Sequence, residues 1–464
     1  MQTAPASASQ KPDKPRRDMS GPDVNRPDMG RPDIHRPDMD RPDMGRPDVN
    51  RPDADRTDAD RSDSAAPFAP GWWLRHLRLT DFRNYKTAEL QLDGRPVVLT
   101  GPNGAGKTNL LEAVSLLAPG RGLRRAGREE LPRSLPAELP AKLPESESGT
   151  GPAEAASPFS GPQLLWSVSA GLVTPQSEHQ LGTGLLADDS RRSVRIDEAP
   201  ATQSDLGACL AISWLTPQMD GLFAGSPSGR RRFIDRLAIA FDPAHAGRLA
   251  RYERALRERG RLLAEGRADA VWLASLESLL AETGVAIMAT RAALIADMNA
   301  EAETSGGPFP SAWLEMTGGM AEQVGQMPAL ELEDRLRQAA AVARQAGDAA
   351  MPGPQASDML AWDKVASQPA SRASTGEQKA LLISLVLAHA RLQGRRLGRP
   401  PILLLDDVAA HLDDMRRQAL FDICGCLDGQ IWFTGTDRTD FAPLEGTARF
   451  LEIAAGRIVW PAGC

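Results

Sequence analysis

The amino-acid sequence predicts an α/β fold: a head built in two pieces, a mainly helical domain inserted between them, and a disordered N-terminal tail in front. Three observations carry this reading. A glycine-rich loop, GPNGAGKT at 101–108, sits between an apolar strand and a helix-compatible segment. An apolar run, PPILLLDD at 400–407, ends in paired carboxylates, and the chain between the two turns strongly helical from about Pro243 to Ala300.

In chain order, residues 21–65 repeat a five-residue unit seen as RPDMG, RPDIH and RPDMD. Proline in nearly every unit forbids helix, and alternating Arg and Asp leave little apolar surface to bury, so residues 1–70 read as a disordered tail. Folded sequence starts at Trp72. LRHLRLTDF alternates apolar and polar residues like a half-buried strand, and ELQLDGRPVVLT supplies a second and third strand around an Asp93-Gly94 turn. Residues 131–162, rich in Pro, Ser and Glu without periodicity, read as a flexible surface insertion within an N-terminal head piece spanning 71–240. The following segment carries apolar residues at three- and four-residue spacing, which predicts two long amphipathic helices. Gly and Pro interrupt the pattern over 304–328, it resumes over 329–346, and 351–371 is loop-like; together 241–371 form the helical domain. Residues 372–464 alternate helix and strand and complete the head.

Composition narrows the classes. At 464 residues the chain can bury a sizeable core, and its formal net charge of -7 gives no whole-chain electrostatic pull toward nucleic acid, so any basic surface must be local. Cys209, Cys424, Cys426 and Cys464 form no CxxC pair, which points away from a disulfide framework or structural zinc. No stretch reaches roughly 18 consecutive apolar residues, and the N-terminus is polar rather than signal-like, so a cytoplasmic protein with no membrane partner is expected.

The glycine-rich loop is a full match to the phosphate-binding pattern. Gly101, Gly104 and Gly106 let the backbone bend so that the N–H groups of a loop running through Pro102, Asn103 and Ala105 point at phosphates. Lys107 is expected to reach the β- and γ-phosphates of ATP, and Thr108 to bind Mg2+. Downstream, the run ending in Asp406 and Asp407 suits a central parallel strand buried on both faces. There Asp406 would help hold Mg2+, and Asp407 would act as the general base on an attacking water. Upstream of that strand, STGEQK at 374–379 precedes a helix. Ser374 and Glu377 have capping-box spacing, but this does not account for Gly376. A Ser-x-Gly loop at a helix N-terminus is also an anion site, able in a symmetric dimer to close on the γ-phosphate held by the partner's loop.

Together, GPNGAGKT, STGEQK, ILLLDD and HLDD resemble the Walker A, signature, Walker B and D-loop motifs of ATP-binding-cassette ATPases, giving a cassette-type P-loop ATPase head. Transport ATPases, the alternative reading, place the signature much nearer the P-loop. The long spacing here resembles the chromosome-maintenance group. Within it, LRLTDFRNY, GRGLRRA, GSPSGRRRFIDRL and LLLDDVAAHLD resemble the RecF family of bacterial replication and repair proteins, over about residues 72–460. The resemblance implies an ATP-dependent homodimer with weak ATPase activity. It also implies binding to single-stranded or gapped DNA without sequence preference, help in loading recombinase at gaps or stalled forks, and work with a RecR-type mediator. It further implies that Ser374, Gly376 and Gln378 act in trans, and that Gln218 lies in a Q-loop coupling Mg2+ to the helical domain. As a residue, Gln218 also reads as an ordinary polar loop side chain. The switch His that cassette ATPases often carry is absent from IWFTGTD, where Thr436 or Asp437 would face the γ-phosphate instead, in keeping with slow hydrolysis.

Candidate DNA contacts are the Arg230, Arg231 and Arg232 cluster and the helix carrying Arg248, Arg251, Arg254, Arg257 and Arg261. Glu253, Glu258 and Glu265 lie among these and would pair with arginines one turn away on a merely solvated face.

Overall fold

The computed structural model describes residues 71–459, apart from 128, 134–163, 188, 190, 267–268 and 305–306. The expected tail and nearly all of the 131–162 insertion therefore lie outside the described residues.

The chain opens with β1 (Trp73–Phe82) and β2 (Tyr85–Gln91), which pair antiparallel. Next, β3 (Val97–Thr100) leads through the glycine-rich loop into α1 (Lys107–Ser115). The two strands expected on either side of the Asp93-Gly94 turn are present as β2 and β3, and each belongs to a different sheet. The physical reason lies in burial. β2 alternates buried and exposed residues, as an edge strand of a half-solvated sheet does, whereas all four residues of β3 are buried. Strands β4 (Leu164–Val173), β5 (Glu178–Leu186), β6 (Ser193–Ile196) and β7 (Ala199–Ala201) complete an antiparallel sheet of order β2-β1-β4-β5-β6-β7.

After α2 (Gln203–Cys209) come β8 (Ile212–Leu215) and α3 (Pro227–Ile239), then the helical segment. This holds α4 (Ala244–Glu265) and α5 (Ala270–Thr304), then β9 (Ala312–Thr317), α6 (Ala329–Gln345), β10 (Asp358–Asp363) and β11 (Gln368–Pro369). The stretches read as loops over 304–328 and 351–371 thus contain β9 and β10, which pair antiparallel in a three-stranded sheet. Six-residue strands bracketed by Gly and Pro give a weak local signal, and each needs its distant partner to form. Both long helices keep a solvated face; on α5 it runs through Ser275, Ser278, Glu282, Ala289, Ala293, Ala296 and Ala300, mostly small residues. α5 is long and apolar enough to cross a membrane by length and composition, but its buried residues include Glu277 and Arg291, both ion-paired. It packs its apolar residues against α4, α6, α7 (Thr375–Leu397) and β9, as a core helix of the folded chain.

The chain returns to the head with β12 (Ile402–Leu405), α8 (Asp414–Gly425), β13 (Ile431–Gly435), β14 (Arg449–Ala454) and β15 (Arg457–Val459). These complete a second six-stranded sheet, order β15-β14-β3-β13-β12-β8, parallel except at β15. Successive side chains alternate between faces: Ile402 and Leu404 join the core that includes α1 and the antiparallel sheet, while Leu403 and Leu405 join that of α3, α7 and α8.

A buried ionic network ties the head to the helical segment. On α3, Asp235 accepts two bonds from Arg291 of α5, both 2.8 Å, and meets His245 of α4 at 2.9 Å. Arg291 also donates to the Pro354 carbonyl at 2.9 Å and to Ser357 Oγ at 3.0 Å. Burial opposes the Asp235 charge, but its bonds to His245 and Arg291 hold the carboxyl below the usual range. Because this folded-state value is depressed, the stabilisation is present at neutral pH and is lost as pH falls through it. Arg291→Met leaves the Asp235 carboxylate buried with half its partners, and should cost about 3 kcal/mol or more in denaturant unfolding. A midpoint within experimental error of the wild type would show that the network contributes no net stability.

Candidate nucleotide site

The site is assembled where the parallel strands end. β3 releases the loop 101–106, and two strands away β12 releases Asp406 and Asp407, with β13 between them. Thr434 of β13 closes the gap. Its hydroxyl donates to Asp406 Oδ1 at 2.8 Å and accepts from the Asp407 N–H at 2.9 Å. Thr108 Oγ1, at the start of α1, donates to the same Asp406 oxygen at 2.9 Å. Burial raises the Asp406 pKa, against the two threonine bonds and the field of Arg124. The Lys107 ammonium folds over the loop, donating to the Gly101 and Pro102 carbonyls at 2.7 and 3.0 Å. Burial lowers its pKa, while Asp407 and Asp406 oppose that shift.

The loop is held to one shape from outside. Gly101 has φ 140°, and a Cβ there would stand 2.2 Å from the Ile453 carbonyl oxygen of β14. Gly106 has φ 119°, and a Cβ would meet Asn84 and Tyr85 at 2.6 and 2.7 Å, so only glycine fits at either place. Asn84 Nδ2 donates to the Ala105 carbonyl and the Tyr85 hydroxyl to that of Gly106, both at 3.1 Å. Below the loop, Glu112 is fully buried in α1 and accepts from Arg83 at 2.9 and 2.7 Å and from Arg124 at 3.3 Å. Asn84, Tyr85, Glu112 and Thr434 had no assigned role in the sequence. The one available signal was a lone charge, Glu112, amid Leu110, Leu111, Ala113 and Val114.

Asp407 has φ 52°, a left-handed conformation rare outside glycine, and its buried Oδ1 lacks a hydrogen-bond partner among the described residues. Thr108 and Asp406 offer a hydroxyl and a carboxylate oxygen on a shared hydrogen bond, a hard-oxygen pair of the kind that fits Mg2+ completed by phosphates and water. Gln218 follows β8 and is exposed. A cavity of about 600 Å³ opens beside Gly101 and Pro102, and Thr436, Asp437 and Arg438 line it.

Ser374 caps α7. Its hydroxyl and N–H both donate to Glu377 at 2.8 Å, and Glu377 N donates back to Ser374 Oγ at 3.4 Å. Gly376 is exposed, with open space where a Cβ would stand, and the buried Gln378 donates to the Ala373 carbonyl at 2.9 Å. Among the described residues no hydrogen bond joins Ser374 to Lys107, Thr108, Asp406 or Asp407. One turn on, Lys379 links α7 to the acidic strand, with Nζ 3.5 Å from the Asp407 carbonyl and 3.7 Å from Asp220.

The arginines do not form one surface. Consecutive helical residues point about 100° apart, so three in a row cannot share a face. Arg230 turns inward, bonding Asp358 at 2.9 and 2.7 Å and the Phe223 and Gly225 carbonyls at 3.1 and 2.6 Å. It is a structural group and corrects the expectation that it contacts DNA. Arg231 is half-buried and donates to the Ser357 carbonyl at 2.6 Å, whereas Arg232, Arg251 and Arg254 are exposed. On α4, Arg257 faces Glu253 at 3.8 Å, and Arg261 pairs with Glu258 and Glu265 at 2.7 and 3.1 Å.

Similarity to known proteins accords with this geometry. The family model for the RecF/RecN/SMC N terminal domain matches residues 73–430. A protein of Rhizobium etli named DNA replication and repair protein RecF is 45% identical over 393 residues, covering 83% of this chain and 98% of its own. Its namesake in Mesorhizobium japonicum is 43% identical, covering 82% and 96%. Two solved structures, described as the recombination mediator protein RecF-ATPrS and RecF-ATP in the RecFOR pathway, superpose with TM-scores of 0.67 and 0.63. Each covers 84% of this chain and 99% of its own at 20% identity, a likeness of fold.

The buried Asp406 makes a testable trade. Asp406→Asn keeps an oxygen for both threonines and removes a charge that burial disfavours. The variant should melt at a higher temperature than the wild type without nucleotide, yet lose Mg2+-dependent nucleotide binding. Unchanged Mg2+ dependence in a titration would remove Asp406 from the metal site.

Proposed function

The chain belongs to the RecF family, and on that premise we propose that it is an ATP-dependent DNA-binding protein of recombinational repair and replication restart. In this reading the head comprises 71–240 and 372–464, and 241–371 is a separate helical domain. Two copies pair when ATP is bound, and slow hydrolysis releases them. The observation that carries the proposal is the relay Thr108–Asp406–Thr434–Asp407, which makes P-loop and acidic strand one pocket.

Lys107 exchanges the Gly101 and Pro102 carbonyls for β- and γ-phosphate oxygens, and the N–H groups of 101–106 cradle the rest. Thr108 and, through water, Asp406 would hold Mg2+, which supplies charge neutralisation on the phosphates. Asp407, with its unpartnered oxygen, accepts the proton of the attacking water. Thr436 and Asp437, which line the cavity beside Gly101, take the part of the switch His that cassette ATPases often carry. From the partner copy, Ser374, Gly376 and Gln378 close over the γ-phosphate, and Ser374 must then release Glu377. Gln218 would relay Mg2+ occupancy toward the helical domain. Exposed Arg232, Arg251 and Arg254 are DNA-contact candidates, with Arg231 at their margin.

The names of the relatives support DNA repair rather than transport, and the pathway named with the solved structures supports a RecR-type mediator as partner and recombinase loading at gaps as outcome. The cytoplasm is the compartment this work requires.

Three variants separate the roles. Lys107→Met should abolish ATP binding and pairing. Asp407→Asn should slow hydrolysis by about 100-fold or more and trap the ATP-bound dimer. Ser374→Arg should bind ATP but stay monomeric. Sedimentation of Asp407→Asn with saturating ATP and Mg2+ decides the matter, since a monomer there contradicts the composite site.

A further inference from the structure

The corner that follows α1 is built, not merely a connection. Gly122 is left-handed at φ 70°, with Ser115 Oγ and Leu116 at 2.9 Å from where a Cβ would stand, and Leu123 N donates to Ser115 Oγ at 2.8 Å. Leu123 and Ala126 are buried as anchors, while Arg121 and Arg125 project outward between them. Arg125 holds a left-handed φ of 57°, and Arg121 donates to the Ala126 carbonyl at 3.3 Å. On one side Arg192 donates to the Ala118 carbonyl at 3.4 Å, with its buried Nε lacking a partner. On the other, Arg232 of α3 and Glu253 of α4 lie within electrostatic reach of Arg125, which joins this corner to the helix bearing Arg251 and Arg254. Glu253 already faces Arg257. Among the described residues Arg121, Arg125, Arg192 and Arg232 form no ion pair with any carboxylate, whereas arginines elsewhere in the head, such as Arg83 and Arg417, do.

We propose that Arg121, Arg125 and Arg232 form a phosphate-tracking surface that grips the DNA backbone at the far end of α1, behind the nucleotide loop. The inference rests on the DNA-binding reading above and assigns it a location. Guanidinium groups crowded without ion-pair partners repel one another, and a polyanion relieves that repulsion while releasing its counterions. The crowding at Arg125 acts in this sense: burial, then Arg232 and Arg121, lower its pKa. Coupling to nucleotide is short-range. α1 has nine residues, so the corner lies about 13 Å from Lys107. Arg124, next to Arg125, is bonded back to Asn109 at 2.5 Å and to Glu112 at 3.3 Å on that helix.

The test uses the full chain with ATP and Mg2+, measuring affinity for a gapped duplex DNA across a potassium chloride series. The Arg121→Ala/Arg125→Ala double variant should bind about 10-fold more weakly near 0.1 M salt, with a log–log salt slope shallower by about 2. Its ATP binding and melting temperature should match the wild type. Arg125→Lys should keep the slope, showing that charge and not the left-handed backbone is responsible. Arg335→Ala, an ion-paired residue on α6, serves as the unaffected control. If the wild type shows a steep slope and the double variant retains it, the location is wrong while the DNA reading stands. A flat wild-type response removes both.

Discussion

Asp406 sits at the C-terminal end of β12 and accepts hydroxyl hydrogens from Thr108 and Thr434 on the same carboxylate oxygen. Through it, β12, β13 and the first turn of α1 are fixed against one another, although they come from opposite ends of the folded chain. Much else follows from that. The Asp407 N–H is pinned to Thr434 at the residue that carries the unusual φ. Lys379 then reads the Asp407 carbonyl from α7, so the helix that presents Ser374 is mechanically continuous with the acidic strand.

The same logic, a buried charge satisfied by distant groups, recurs at two other levels. Glu112 gathers Arg83 and Arg124 beneath the loop, and Asp235 gathers His245 and Arg291 between head and helical segment. Each costs desolvation and is tolerated because several partners share the charge. Each also fixes a register: α1 against the corner after it, and α3 against α4 and α5.

What was legible in the sequence was local. GPNGAGKT and ILLLDD announce themselves because glycine, lysine and paired acids occur at fixed spacing beside an apolar strand. What was hidden depends on residues far apart. Nothing near Thr434 marks it as the bridge, and nothing near Asn84 says that it will brace the Ala105 carbonyl. The inward turn of Arg230 follows from helix geometry, but its partner Asp358 is on a strand that Gly and Pro disguised as loop. The Asp-Gly signal at 93–94 marked a turn between two strands but not that they enter different sheets. All four residues of β3 are buried, as in a strand covered on both faces, and that burial decided the matter.

The placement of β3 has a bearing on how the protein is made. Its two neighbours in the sheet are β13 and β14, and the wall that forces glycine at 101 is the Ile453 carbonyl. The nucleotide loop is therefore translated early but given its shape by strands translated almost last. Throughout synthesis β3 waits as an apolar segment with no partner, an interval in which it is exposed to mispairing. A ribosome that stops short of Ile431 leaves a chain carrying the complete phosphate-binding motif and no means of folding it.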